Sequence, residues 1–171
     1  MKTKTVTTDA IGIALFAVLF LIHIPFVPNY YLCLSYIVLM VYCRYFSLWD
    51  SLIVGSAGLV IGSLLVSSYH GLPGWLSGNI LITIVMHVFF NIKGKGWVKI
   101  VMEIIAGVMA TAAGILLIKA GLEKFLYGVP YIERVVHNLY AFVADSMTVI
   151  LGIAVSHNSS VARLVDKLQD K

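Results

Sequence analysis

The chain has 171 residues, of which 60% are hydrophobic and only 12% charged, and its mean hydropathy is +0.96. Soluble domains carry about 25% charged residues, so this composition excludes a soluble fold and indicates one integral membrane domain. The formal charge of +4 is ascribed to basic residues that hold the chain in its membrane, and no nucleic-acid partner is expected.

The first apolar run, residues 9–26, reads as a helix. A run of about 18 apolar residues spans a ~30 Å hydrocarbon layer. Lys2 and Lys4 precede it, while Pro25 and Pro28 follow. Ala10, Ala14 and Ala17 fall at helical spacing and form a small-residue stripe, which lets another helix approach closely in lipid. Basic residues before an apolar core also fit a secretory signal, but no small-x-small cleavage site follows this one.

Residues 27–30 form a turn around Pro28-Asn29, and the second helix covers 31–46. It is rich in tyrosine (Tyr31, Tyr36, Tyr42, Tyr45), with the terminal ones suited to a membrane interface. Cys33 and Cys43 lie too far apart along this one segment to bridge each other and read as small core residues. The third helix, 51–66, carries Gly58 and Gly62 as a small-xxx-small pair for close packing. Residues 67–74 are a loop, and the fourth helix runs over 75–92. The fifth, 98–120, has a seam of Gly107, Gly114 and Gly121 at heptad spacing. A loop over 121–131 leads to the sixth helix, 132–155. The tail, 156–171, is weakly amphipathic through Val161, Leu164, Val165 and Leu168, and is expected along the membrane surface.

The expected architecture is therefore all-α: a polytopic membrane protein with six transmembrane helices and cytoplasmic N- and C-termini. Six spans put Lys2, Lys4, Arg44, Lys93, Lys95, Lys99, Arg163, Lys167 and Lys171 inside, and Lys119, Lys124 and Arg134 outside. That is nine of the 12 basic residues on the cytoplasmic side, the bias that sets orientation.

Polar groups within a bilayer are costly and mark candidate sites. Trp75, Asn79, Thr83 and His87 recur every four residues on one face of the fourth helix. Asn138 and Asp145 share a face of the sixth, beneath Glu133, Arg134 and His137. Both stripes begin at the outer end, near Tyr69 and His70 of one loop and Tyr131 of another. Together they describe an outward-facing pocket for a small polar ligand, with aromatic rings to stack on a flat heterocycle. The candidate contacts are Tyr69, His70, Trp75, Asn79, Thr83, Tyr131, Asn138 and Asp145.

Plainer readings stand beside these. Thr83 can bond back to its own helix, Trp75 can be an interface anchor, and Asn79 can bridge neighbouring helices. His87 and Asp145 lie deeper, where a structural hydrogen bond is expected; Asp145 must pair, with His87 a candidate, or stay protonated. Glu103 is read as an interface group. There is no GxxxxGK[ST], HExxH or GxSxG pattern, so catalysis, a metal or a cofactor is not expected.

The opening Thr5-Val-Thr-Thr-Asp-Ala10-Ile-Gly-Ile-Ala14-Leu-Phe-Ala17 resembles the start of the substrate-binding S components of energy-coupling-factor (ECF) vitamin transporters. The stretch Gly58-Leu-Val-Ile-Gly62, with Tyr69-His-Gly and Leu76-Ser-Gly-Asn79, is similar to that family's third helix, loop and fourth helix. The resemblance implies a six-helix subunit of the prokaryotic plasma membrane. It would bind a water-soluble vitamin or precursor and deliver it inward. Ala10 and Ala14 would pack on a transmembrane coupling component, and two separate ATPase subunits would hydrolyse ATP. A second resemblance, of Leu32-Cys-Leu-Ser-Tyr-Ile-Val-Leu, Gly55-Ser-Ala-Gly-Leu and Leu72-Pro-Gly to the cell-shape protein MreD, implies a scaffold without a ligand.

Overall fold

A computed structural model of the chain describes residues 3–22, 24–27, 30–66, 71–94 and 96–169. Tyr69 and His70, two of the expected pocket residues, lie outside the described residues, as does His23.

Helix α1 covers Thr3–Leu21 and stops five residues short of the expected end. Pro25 and Pro28 explain the early stop, because the residue before a proline is driven to extended backbone. The chain instead forms β1 (Ile24–Val27) and β2 (Tyr30–Leu32), an antiparallel hairpin pairing Ile24 with Leu32 and Pro25 with Tyr31. Helix α2 (Ser35–Tyr45) is correspondingly short. Its 11 residues rise about 17 Å, too little to cross a bilayer alone.

Ser47 and Asp50 then open α3 (Leu48–Leu65) with reciprocal side-chain-to-backbone hydrogen bonds, each 3.2 Å long. The four residues between the expected second and third helices are thus a helix start. Helix α4 spans Leu72–Asn91 with Pro73 in its first turn, where a missing N–H costs nothing. Helix α5 (Gly96–Ala112) continues through a π-helical stretch, Ala113–Lys119, into α6 (Ala120–Tyr127). The loop expected over 121–131 is therefore mostly helix. It ends at Gly128, whose φ of 69° places it in the left-handed region that terminates helices. Helix α7 covers Tyr131–Ser156, and α8 (Ser159–Gln169) is the amphipathic tail.

Four helices are long and apolar enough to cross a membrane: Leu48–Leu65, Leu72–Asn91, Gly96–Tyr127 and Tyr131–Ser156. Val6–Leu21 is a shorter apolar helix. Their outward faces carry Val18, Ile61, Val88, Met109 and Leu117 exposed, as lipid-facing surfaces require. The inward faces meet in a core of Phe16, Leu39, Met40, Cys43, Val54, Ile82, Met86, Val149 and Ile153.

Small residues set how closely the helices approach. A Cβ added at Gly58 or Gly62 would lie 2.7 Å from the ring of Phe16 or Phe20, so α1 lies directly on the expected glycine pair of α3. Gly78 of α4 and Gly114 of the π segment meet backbone to backbone. Gly107 packs against Val149 and Ile153 of α7, but Gly121 has nothing within 4 Å among the described residues, so the heptad seam ends one step early. The π stretch is the reason: it changes the angular phase of every residue that follows.

At the end of the bundle that holds the start of α1, Glu103 is fully buried. Its carboxylate lies 3.4 Å from Arg44, 3.7 Å from Lys99 and 2.5 Å from His157 Nε2. That nitrogen is also 2.8 Å from Arg44 Nη1, so it donates to the carboxylate or accepts from the guanidinium, not both. The expectation of Glu103 as an interface group is corrected: it is a buried countercharge tying α2, α5 and α7 together. Tyr45 Oη adds a hydrogen bond to the Ser156 carbonyl at 2.8 Å.

Candidate functional site

At the opposite end, between α1, the hairpin, α2, α3, α4, the π segment, α6 and α7, lies a cavity of about 580 Å³. Its depth follows from the helix positions that line it. On α7 these run from Arg134 through His137, Asn138 and Ala141 to Asp145, a rise of about 16 Å. Phe16, Leu59 and Ile82 close the lower end. This size suits a drug-sized or smaller ligand.

The mouth is built from a buried charge network. Lys119 and Glu123 are each 8% exposed, and their Nζ–Oε1 distance is 3.8 Å, one helical turn apart. Asn138 joins them from α7: its Oδ1 accepts from Lys119 Nζ at 2.9 Å, and its Nδ2 donates to Glu123 Oε2 at 3.2 Å. Arg134 approaches from α7, its Nε 4.0 Å from Glu123 Oε2 and without a hydrogen bond among the described residues. A buried charge needs such partners, since an unpaired one is expelled by its own desolvation cost. Lys119 also sits 5.6 Å over the ring of Trp75, whose other neighbour is Phe20, edge-on at 6.5 Å. Trp75 is thus part of the cavity wall, and the interface-anchor reading is set aside.

The lower part has a different character. Asn79 is almost fully buried and donates from Nδ2 to the Gly55 carbonyl at 3.0 Å. A carbonyl can only accept, so this bond fixes the orientation of the amide. Its Oδ1 is left buried with no hydrogen-bond partner among the described residues. Asp145 lines the same space, two helical turns below Asn138, within electrostatic reach of Cys33, Tyr36 and Lys119. No hydrogen bond to its carboxylate is found among the described residues.

Trp75, Asn79, Asn138 and Asp145 are therefore brought together as expected. Others are not. Thr83 is buried and donates to its own helix at Asn79 O, 2.7 Å away, which leaves it off the cavity wall. Tyr131 also stands off the wall, its Oη bonded to Leu116 O at 3.0 Å. His87 does not pair with Asp145: its Nδ1 lies 3.1 Å from Cys43 O and its Nε2 faces Asn91. The structural bond expected for Asp145 is absent among the described residues, while the one expected for His87 is present.

The sequence reading put Lys119 on the outer side, Arg134 at the outer mouth above Asn138, and residue 123 in a loop, so it missed the network that Lys119 and Glu123 form with them. The i,i+4 pairing of Lys119 with Glu123 is a helix signal that contradicts a loop at that point. On α1, Ala10 and Ala14 are exposed on one face with Ile11 and Leu15, whereas Ala17 is buried at 5% exposure. The outward small-residue patch is thus Ala10 and Ala14 only. Compared with known proteins, the chain matches no family model, no curated protein and no solved structure.

Proposed function

We propose that this chain is the substrate-binding subunit of a membrane importer of the ECF type, taking up a water-soluble vitamin or a related small molecule. The observation that carries this reading is the deep cavity itself: a 580 Å³ space with aromatic walls, a charge network at its mouth and a buried amide oxygen of Asn79 below it without a partner among the described residues. A scaffold protein has no need of such a space, and leaving polar groups unsatisfied in a bilayer is costly. The exposed Ala10 and Ala14 support docking on a coupling component, and separate subunits would supply ATP hydrolysis. In this reading the chain crosses the plasma membrane six times with both termini inside. Helix α2 and the hairpin together make the second crossing, and the cavity opens outward.

Gentle purification from the native membrane tests the proposal. Mass spectrometry should find a small molecule bound in stoichiometric amount, and ATPase subunits should co-purify. Co-purifying cell-wall synthesis proteins, with no bound small molecule, would instead favour the MreD-like scaffold.

A further inference from the structure

We infer that the ligand of this cavity enters with a cationic, N–H-bearing end, of amidine, amine or protonated aminoheterocycle type, directed at Asp145 and Asn79. This rests on the binding-subunit reading and adds the chemical class of the substrate.

The two ends of the cavity differ in what they leave unsatisfied. At the mouth, Lys119 is committed to Asn138 and Glu123, while Arg134 Nε lies 4.0 Å from Glu123 Oε2, buried and without a hydrogen-bond partner among the described residues. Glu123 is in turn held by Asn138. An anionic ligand would have to compete with that carboxylate for Lys119, and at Arg134 it would lie within reach of the same Glu123 charge. Lower down, two groups are unused acceptors, and the Tyr36 hydroxyl beside Asp145 can donate or accept. Asp145 offers two carboxylate oxygens with no hydrogen-bond donor among the described residues. Asn79 offers a buried Oδ1 that its bond to Gly55 prevents from exchanging with the amide nitrogen. Acceptors without donors are matched by N–H groups, and a carboxylate is matched best by a cation, whose charge-assisted hydrogen bonds are about twice as strong as neutral ones. Phe16, Leu59, Ile82 and Tyr36 surround this lower region, so the body carrying the cation is apolar or aromatic.

The test uses three probes of one shape and different charge: benzamidine as a cation, benzamide as a neutral N–H donor and benzoate as an anion. Purified protein carrying Trp49→Phe and Trp97→Phe reports binding through the fluorescence of Trp75 in the cavity wall. Benzamidine should bind at least tenfold more tightly than benzoate, with benzamide between them. Asp145→Asn keeps the shape and removes the charge. It should weaken benzamidine about ten- to a hundredfold, the scale of one lost charge-assisted hydrogen bond, and leave benzamide nearly unchanged. Benzoate binding as well as benzamidine, or an Asp145→Asn variant that retains full benzamidine affinity, would overturn the substrate class while leaving a binding cavity. If none of the three probes perturbs Trp75 in the unsubstituted cavity, the binding-subunit reading itself fails and takes this inference with it.

Discussion

Gly78 is the position where one methyl group should test the architecture of the site. An added Cβ would lie 2.9 Å from the carbonyl oxygen of Gly114, 3.2 Å from its carbon and 3.5 Å from its Cα. These are backbone atoms, so no side-chain rotation relieves the clash. Ordinary contact begins near 3.4 Å, so α4 and the π segment must separate by about 0.5 Å. Overpacking of this kind costs about 1–3 kcal/mol. Alanine also gains about 1 kcal/mol over glycine in any helix, which would blur the result if Gly78→Ala were read alone. Gly121→Ala removes the ambiguity, because it gains the same propensity with nothing within 4 Å. The difference between the two variants therefore isolates the clash. At about 2–4 °C per kcal/mol for a chain of this size, Gly78→Ala should unfold about 2–12 °C below Gly121→Ala. Thermal unfolding in detergent by circular dichroism measures this. The displacement should also loosen Lys119, five residues beyond Gly114, from Asn138 and Trp75, and so weaken binding in the cavity. A Gly78→Ala protein that unfolds at or above Gly121→Ala would refute the close approach of these helices.

Further outcomes follow from other contacts. Glu103→Gln leaves Arg44, Lys99 and His157 without their countercharge; removing one partner of a buried pair costs about 3–5 kcal/mol, so the melting temperature should fall by many degrees while Lys167→Gln on exposed α8 leaves it unchanged. Tyr42→Phe deletes the 2.6 Å hydrogen bond to the Thr8 carbonyl and should cost about 1 kcal/mol in the same assay. Ala14→Trp places a large ring on the exposed face of α1; uptake in cells should fail while the isolated subunit still binds its ligand, and parallel loss of both would show the residue to be internal packing. In a cysteine-free background, Leu126→Cys should react with an impermeant reagent from outside the cell and Ser160→Cys only after lysis; the reverse pattern would overturn the proposed orientation.

The sequence by itself determined the class of protein and much of the packing. Sixty percent hydrophobic content and long apolar runs leave a chain no stable place in water. Local spacing was enough for Gly58 and Gly62, since residues four apart share a helix face wherever the helix is put, and the same rule placed Trp75 with Asn79 and Asn138 with Asp145. It offered a self-satisfied Thr83, a bond made within one turn, beside the pocket contact that the structure does not show. The prolines that end α1 at Leu21 were in view, but how early they act depended on a hairpin partner that only the fold supplies.

Tertiary structure decided the rest. Whether Ala17 faces a partner or the protein depends on where α1 rests against α3, and composition carries no sign of that. Lys119, at the end of the π stretch Ala113–Lys119, lines the cavity, and Gly121 just beyond it stands out of the glycine seam. A single added residue per turn leaves no trace in hydrophobic periodicity, because the apolar residues on both sides look alike. Lys119, Asn138, Glu123 and Arg134 meet only when the end of one helix comes beside the start of the next. His87, equally plausible from sequence as a partner for Asp145, finds a carbonyl of α2 nearer to hand. Charges and hydrogen bonds act over a few ångströms in three dimensions, so pairings between helices follow from packing, and spacing along the chain supplies only the candidates.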